Sequence, residues 1–454
     1  SDAGAGVGYT GIRVRGSDAS RVNVTLNGIP FNDAESQGTF WVNLPDFASS
    51  VENLQLQRGV GTSTNGSGAF GASLNIRTEA ISKNAFAEIA NTIGSFNTRK
   101  HTVKFSTGIL KDAIEVGGRF SQIQSDGYID RASANLKGYF LYGAYKTNRT
   151  LIKARVFGGN EITYQSWFGV DAQTLAENRT FNPAGQRFDD FGNPEGFHEN
   201  QVDNYSQDHY QLLWNQKYNA QWSSQVALNY TYGRGFFEEY IDDWFTTQVL
   251  FSNESQLDFY GIAPVMVGNQ TITQTDLVRR RWLDNDFYAL SANVNYKKQH
   301  LEKNFGLFHS RYLGDHFGEV IWARFAGNSE LGDTYYFGNG DKKETTIFSK
   351  TDWQINSKVN AFIDLQGRFV NYTTTGQASD TSILEVDEAY AFFNPKMGLS
   401  YQLNRKNQLY LSYGHAHREP RRSDFQQGIF TPEKLDDYEI GWRYKTAHST
   451  LQTN

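Results

Sequence analysis

From residue 84 to the end of the chain, segments that alternate apolar and polar side chains are joined by connections that run mostly short, long, short, long. Ile114, Val116, Gly118 and Phe120 alternate with Glu115, Gly117, Arg119 and Ser121. Val226, Leu228, Tyr230 and Tyr232 alternate with Gln225, Ala227, Asn229 and Thr231, and Tyr288, Leu290, Ala292, Val294 and Tyr296 with Ala289, Ser291, Asn293 and Asn295. A period of two marks a strand whose two faces meet different surroundings. Here one face is apolar and the other carries Asn, Gln, Ser, Thr and charges, as lipid outside and a wet or plugged lumen inside would require.

The connections sharpen this reading. Short polar turns fall at Lys111-Asp112, Thr147-Asn148-Arg149, Asn219-Ala220, Lys298-Gln299-His300, Asn356-Ser357-Lys358, Asn404 to Asn407 and Ala447-His448-Ser449. Longer linkers fall between them, at about 125–135, 164–204, 238–280, 313–342, 372–388 and 417–434. Outer-membrane barrels are wired this way, with short periplasmic turns and long extracellular loops. A soluble up-and-down barrel, the competing architecture, has no reason to keep its long loops at one end. The segments predict about fourteen strands, with a fifteenth opening after Ser449 before the sequence ends at Asn454. An open sheet would leave two unpaired edges in lipid, so further strands are expected beyond Asn454.

Composition agrees. No stretch of about 18 apolar residues exists to form a membrane-crossing helix. Aromatic residues make up 15% of the chain, enough for girdles at both membrane interfaces, though a carbohydrate-binding β-protein would also use them. The chain has no cysteine, hence no disulfide framework. Its net charge of −6 gives no footprint for nucleic acid, which calls for clustered positive charge. Ser1 to Gly8 are small residues without the pattern of a signal peptide.

Residues 1–80 read differently from 81–454. They are rich in Gly, Ser, Thr and Asn, with strands predicted at Val22–Leu26, Val51–Gln57 and Leu74–Arg77 and a tight turn at Asn27-Gly28. This small mixed domain carries Gly11-Ile12-Arg13-Val14-Arg15-Gly16, Val22 through Leu26-Asn27-Gly28-Ile29-Pro30, Val51 through Gln57-Arg58-Gly59, Gly66-Ser67-Gly68-Ala69-Phe70-Gly71 and Leu74-Asn75-Ile76-Arg77-Thr78. In that order and spacing these segments resemble the plug of TonB-dependent outer-membrane receptors. Leu411-Ser412-Tyr413-Gly414 through Arg418-Glu419-Pro420, then Pro432-Glu433-Lys434 and Tyr438-Glu439-Ile440-Gly441, resemble the barrel motifs of the same family.

The resemblance implies an all-β antiparallel transmembrane barrel of twenty-two strands, of which about 14–15 are present, closed by a small mixed α/β plug. Residues 1–80 would be the C-terminal part of that plug and 81–454 an incomplete barrel, with seven or eight strands and the TonB box outside the sequence. It further implies a cell outer membrane of a Gram-negative bacterium, contact with lipid and lipopolysaccharide, and TonB with its inner-membrane complex as partner. The activity implied is import of a scarce ligand, not enzymatic chemistry. The plug is closest to ferric-citrate and siderophore receptors, which points to a ferric chelate. An oligosaccharide or cobalamin importer and a passive porin or adhesin are the alternatives. Haem receptors of this family place a His between the two barrel motifs; residues Arg421 to Thr431 hold none, and Arg418-Glu419-Pro420 replaces the usual Arg-Ala-Pro.

Two Gly-x-Gly-x-x-Gly matches, Gly6 to Gly11 and Gly66 to Gly71, lack the strand and helix that a dinucleotide site needs, and no cofactor is expected. His415 and His417, alternate residues of a strand, could share a metal, but two ligands are too few by themselves, so no metal is expected and a pair facing the vestibule is the simpler reading. Plug loops facing outward would meet the ligand through Asn32, Asp33, Glu35, Gln37, Phe40 and Trp41, and through a second apex at Thr64 and Asn65. Tyr164, Trp167, Arg187 and His198 in the 164–204 linker could stack on or clamp it, as could His415, His417, Arg421 and Arg422 at the rim. Arg13, Arg15, Gly16, Arg58 and Gly59 carry the plug motif.

Overall fold

A computed structural model describes residues 6–65, 70–78, 81–244, 255–446 and 449–453. The Gly66–Ala69 part of the plug motif, the Ala447-His448 turn, Phe245 of the 238–280 linker and the first residues, Ser1 to Ala5, lie outside the described residues, as does the side chain of Asn65.

The N-terminal unit is a four-stranded sheet of β1 (Val22–Leu26), β2 (Ile29–Pro30), β3 (Val51–Arg58) and β4 (Ala72–Thr78), in the order β2-β1-β4-β3. β1 and β4 run parallel, Val22 opposite Ala72 through Leu26 opposite Ile76. Asn27 (φ 58°) and Gly28 (φ 86°) close the β1–β2 hairpin with both central residues in the left-handed region, which asparagine and glycine tolerate best.

The rest is one antiparallel sheet, fifteen strands among the described residues. It begins with β5 (Phe86–Ile93), β6 (Arg99–Ser106), β7 (Ile114–Ser125), β8 (Ala134–Lys146) and β9 (Thr150–Tyr164). The connection after β9 holds a small hairpin, β10 (Gln186–Phe188) and β11 (Pro194–Phe197), before β12 (Val202–Lys217) and β13 (Trp222–Ile241). A second hairpin, β14 (Val265–Val267) and β15 (Gln270–Ile272), precedes β16 (Leu277–Lys298), β17 (Leu301–Ala323), β18 (Asp333–Gln354) and β19 (Val359–Gly376). The sheet ends with β20 (Val386–Gln402), β21 (Asn407–Arg418), β22 (Glu433–Lys445) and β23 (Thr450–Thr453).

The strand count matches the sequence reading, and the short turns share one end. Two linkers are shorter than expected: 238–280 narrows slightly to 242–276, and 313–342 shrinks to 324–332. The polar composition that suggested loop belongs to ladder. Glu238 faces Arg280 and Glu239 faces Arg279 across β13 and β16, and opposite charges in cross-strand register support pairing. At the long-loop end the first connection, 94–98, is short.

Alternation places apolar residues outward, with Leu228 at 47% and Tyr288 at 46% exposure, while Asn229 and Thr231 are buried against the interior. The plug sheet fills that interior. Its core residues Val22, Val24, Leu26, Leu44, Phe47, Leu74 and Ile76 form one cluster with the wall residues Phe140, Tyr142 and Phe157. β1 is therefore buried on both faces. Polar contacts fix the register of plug against wall. Asp46 carries a salt bridge to Lys100 and one of 3.0 Å to Arg119, which is 1% exposed and also donates from Nε to Ser50 Oγ at 2.9 Å. Removing one partner of a buried pair strands the other charge. Arg119→Met is expected to lower the stability of plug docking by about 3–5 kcal/mol, read as faster amide exchange around Pro45–Ser50 in the detergent-solubilised protein with the barrel unchanged.

Candidate functional site

The loop 31–41 leaves β2 and rises toward the end of the barrel that carries the long connections. Asp33 shapes it by accepting from Glu35 N at 3.2 Å, Ser36 N at 2.7 Å and Ser36 Oγ at 2.7 Å, the local turn chemistry aspartate favours. Asn32 holds its base, accepting from Val24 N and donating to Val22 O and Gln37 O.

That turn presents Glu35, 4% exposed, to the wall. Its carboxylate accepts from Tyr372 Oη at 2.5 Å and Arg422 Nη1 at 3.2 Å and lies 2.6 Å from His316 Nε2. Arg422 N donates to Glu35 O at 3.1 Å, and Lys342 Nζ to Ala34 O at 2.6 Å. The approach requires Gly340, where a Cβ would stand 2.3 Å from Glu35 Oε1. Burial alone would raise the Glu35 pKa, but His316, Arg422 and Tyr372 overcome it and hold the carboxyl at about 2. Gln37 extends the clamp by donating to Glu419 O at 3.0 Å and accepting from Arg418. Behind it Glu419 pairs with Arg368 at 2.6 Å and Lys342 at 2.7 Å, and Glu344 pairs with Arg368 at 2.8 Å. Burial opposes the charge on Glu419 too, and Arg368 and Lys342 overcome it, keeping its carboxyl far below the ordinary range.

Above this clamp opens a cavity of about 430 Å³. Tyr9, Phe31, Phe40, Phe237, Tyr205 and Tyr336 give it an aromatic lining; Asp33, Glu35, Asp203, Arg281, His316 and Arg422 supply charge. The cations are largely engaged: Arg281 holds Glu239 at 2.9 Å and Arg422 holds Glu35. Trp167 packs on Tyr9 and Phe237 at 5.4 and 5.8 Å between ring centres, and Tyr9 donates to Asp203.

The structure brings Asp33, Glu35, Phe40 and Arg422 together at the cavity, with Trp167 behind its aromatic wall. The others serve elsewhere. Trp41 packs on Phe31 within the plug core. Tyr164 donates to Ala184 O and His198 O, and His198 approaches Glu238 at 3.3 Å, so both hold the long loop in shape. Arg187 sits in the β10–β11 hairpin. Arg421 is spent on a bidentate pair with Asp424. His415 and His417 lie on β21 outside this cavity, and His417 reaches a smaller one of about 90 Å³ that Asn32, Asp33 and Gln37 also line.

The second apex is not at the long-loop end. Ser63 N donates to Asp364 and Lys396 to Ser63 Oγ, and Asp364 lies eight residues below Tyr372 on β19, about 26 Å at the rise of a strand. Thr64 therefore sits near the short-turn end, where Arg58, Val60 and Thr62 line a separate cavity of about 650 Å³. The plug motif is structural here: Arg15 (φ 50°) pairs with Glu439 at 3.0 Å beside Gly16 (φ 84°), and Arg13 is exposed. Gly59 (φ 69°) is required because a Cβ there would lie 2.2 Å from Asp437 Oδ2.

Sequence reasoning missed Tyr9, Phe237, Arg281, His316, Tyr372 and the pair Arg368–Glu419. Lumen-facing charges at alternate positions, such as Lys342, Glu344 and Arg368, were the available signal.

The family model described as TonB dependent receptor-like, beta-barrel matches residues 144–454, and that of the TonB-dependent Receptor Plug Domain matches residues 1–73. No curated protein matches the chain. Among solved structures, the open form of the ferric-catecholate import receptor Fiu from E. coli K12 is similar at 15% identity and TM-score 0.65, over 96% of this chain and 67% of that one. The unliganded ferric citrate transporter FecA aligns at 13% identity and TM-score 0.66, over 94% and 59%. The outer-membrane ferripyoverdine receptor of Pseudomonas aeruginosa, bound to ferripyoverdine, aligns at 14% and 0.63, over 95% and 55%. The chain thus spans between 55% and 67% of the length of these structures, and at such identities the likeness is one of fold.

Because the Glu35 carboxyl is depressed from its ordinary 4.5 to about 2, its contribution to plug docking is complete above pH 4.5 and fades as pH falls toward 2. The loss is on the order of 3 kcal/mol. Exchange protection of residues 33–37 is expected to fall across that window in the native protein, and Glu35→Gln to remove this part of the pH dependence.

Proposed function

Because the chain belongs to the TonB-dependent receptor family, we propose that it is the plug and barrel part of an active importer, in the outer membrane of a Gram-negative bacterium, that takes up a ferric chelate. On this reading residues 1–80 belong to the plug and 81–454 to the barrel. Lipid and lipopolysaccharide surround the wall, TonB and its inner-membrane complex supply the work, and the protein performs no covalent chemistry.

The observation that carries the reading is that the cavity's floor is part of the plug. Asp33, Glu35 and Phe40 belong to the same loop that Arg422 and the wall clamp, so a ligand entering from outside meets the element that must move. Signalling requires that the ligand bind the clamped and released plug with different affinity, and only contacts made to that loop can supply the difference. Aromatic walls suit the flat faces of a chelate. Fiu, FecA and the ferripyoverdine receptor, whose names carry ferric chelates, support the same class. The same aromatic lining would stack on a sugar, which makes an oligosaccharide the second reading.

Uptake of iron-labelled citrate, catecholate and hydroxamate chelates by cells whose receptor is the full-length protein, with and without TonB, separates these readings. One chelate is expected to enter only with both proteins. A defect confined to a glycan would move the assignment to carbohydrate, and uptake indifferent to TonB would end the active-transport reading. Phe40 is 47% exposed, so Phe40→Ala is expected to leave the fold intact while weakening chelate binding about tenfold, an aromatic contact of roughly 1–1.5 kcal/mol.

A further inference from the structure

The wall holds a second cluster of side chains, independent of the transport reading. The ladder between β20 and β21 stops at Lys396 opposite Gly414. The next residue on β20 is Pro395, which has no N–H to continue it. β21 runs on to Arg418, paired there with β22. Along this stretch Gly414 faces the plug, since a Cβ would stand 3.0 Å from Val60 Cβ, and Arg418 reaches Gln37 of the plug. His415 turns to Asp436 on β22, while His417 turns to buried Phe392 and Asn394 on β20 and reaches a small interior cavity beside Asn32 and Gln37 of the plug.

Their rings meet. His415 Nε2 lies 3.4 Å from His417 Nε2. The other nitrogen of each ring is held by a neighbouring strand: His415 Nδ1 is 2.8 Å from Asp436 Oδ1 on β22, and His417 Nδ1 is 2.9 Å from Asn394 Oδ1 on β20. The His417 ring stacks on Phe392 at 5.0 Å and 7°. A carboxylate only accepts, so the His415 Nδ1 carries a hydrogen, and in the neutral ring its Nε2 holds a lone pair. Asn394 gives its N–H to Gln366 Oε1 at 2.9 Å and turns its carbonyl to His417, which fixes the same tautomer there. With both rings neutral, two lone pairs face each other at 3.4 Å, and a cation between them satisfies both.

We propose that His415 and His417 are the protein ligands of a site for a divalent transition-metal ion, with water completing its coordination. Nitrogens bound at 2.0–2.1 Å to a tetrahedral zinc stand about 3.3–3.4 Å apart, the separation found here. Imidazoles that bind metal hand their second N–H to a carboxylate or carbonyl, as both do here, and imidazole nitrogen suits Zn²⁺ and Cu²⁺. The Asp436 side chain is 50% exposed and that of His415 19%, and the Asp436 charge balances Lys434, which lies opposite His417 in the ladder. Through Asp436 and Asn394 the ion would tie β21 to both neighbours where the ladder to β20 has ended. Spacing alone made two histidines too few; the flanking acceptors supply what spacing could not show.

The test is Zn²⁺ titration of the tag-free full-length protein, stripped with chelator, against a chromophoric competitor, with Cu²⁺ electron paramagnetic resonance as the second readout. One equivalent of Zn²⁺ is expected to be lost in the His415→Asn/His417→Asn double variant, and the Cu²⁺ spectrum to show two nitrogen ligands. Asp436→Asn is expected to weaken binding 10–100-fold while keeping both nitrogens. Unchanged gel migration before and after heating checks that each variant folds. Stoichiometric Zn²⁺ binding that survives the double variant, or no binding by the folded wild type, would overturn the site and leave a proton shared between the rings.

Discussion

Several charges facing the lumen of this barrel are buried, and a buried charge is costly unless it meets an opposite charge or a hydrogen bond. Much of the fold follows from that constraint. Arg119 is satisfied by Asp46, Arg368 by Glu344 and Glu419, and the plug's own Glu35 by His316, Tyr372 and Arg422. Such pairs add little net stability, because desolvation offsets most of their attraction. What they add is register, since a plug shifted by one residue would bury several charges unpaired. The apolar cluster shared by plug and wall supplies the driving force, and the ion pairs select the position.

On the proposed reading, the position of the cavity over the clamped loop joins recognition to that same network. Arg422 lines the cavity and holds Glu35, while the helix Arg422–Gln426 that carries it belongs to the connection between β21 and β22. A plug element, two wall strands and an outer connection therefore converge on one carboxylate.

The barrel was legible because its signals are local. Alternation at Tyr288–Tyr296 and at Val226–Tyr232 reports which face is wet, and the Asn27-Gly28 turn follows from backbone sterics at two residues. The limits of the strands were less legible, since Glu238 and Arg280 read as loop until their pairing is known. The site was legible only in part. Phe40 and Glu35 stand out as aromatic and acid in a polar loop, but Glu35 meets His316 and Arg422 at sequence separations of 281 and 387 residues, which no local pattern encodes. Thr64 looked like a second apex because its composition resembles one, and composition carries no height.

The parallel pairing of β1 with β4 has a mechanical meaning. β1 is entered from the N-terminal side at Val22, and β4 leaves toward the wall at Thr78, so tension along the chain pulls the two strands in opposite directions along their length. All their hydrogen bonds then share the load at once, whereas an antiparallel hairpin gripped at its open end yields one bond at a time. The outlying links Arg15–Glu439 and Arg21–Glu433, both partly exposed, stand ahead of that sheet in the line of force. Under tension the small links would part first, and the sheet would shift as a block before any strand of it peeled away.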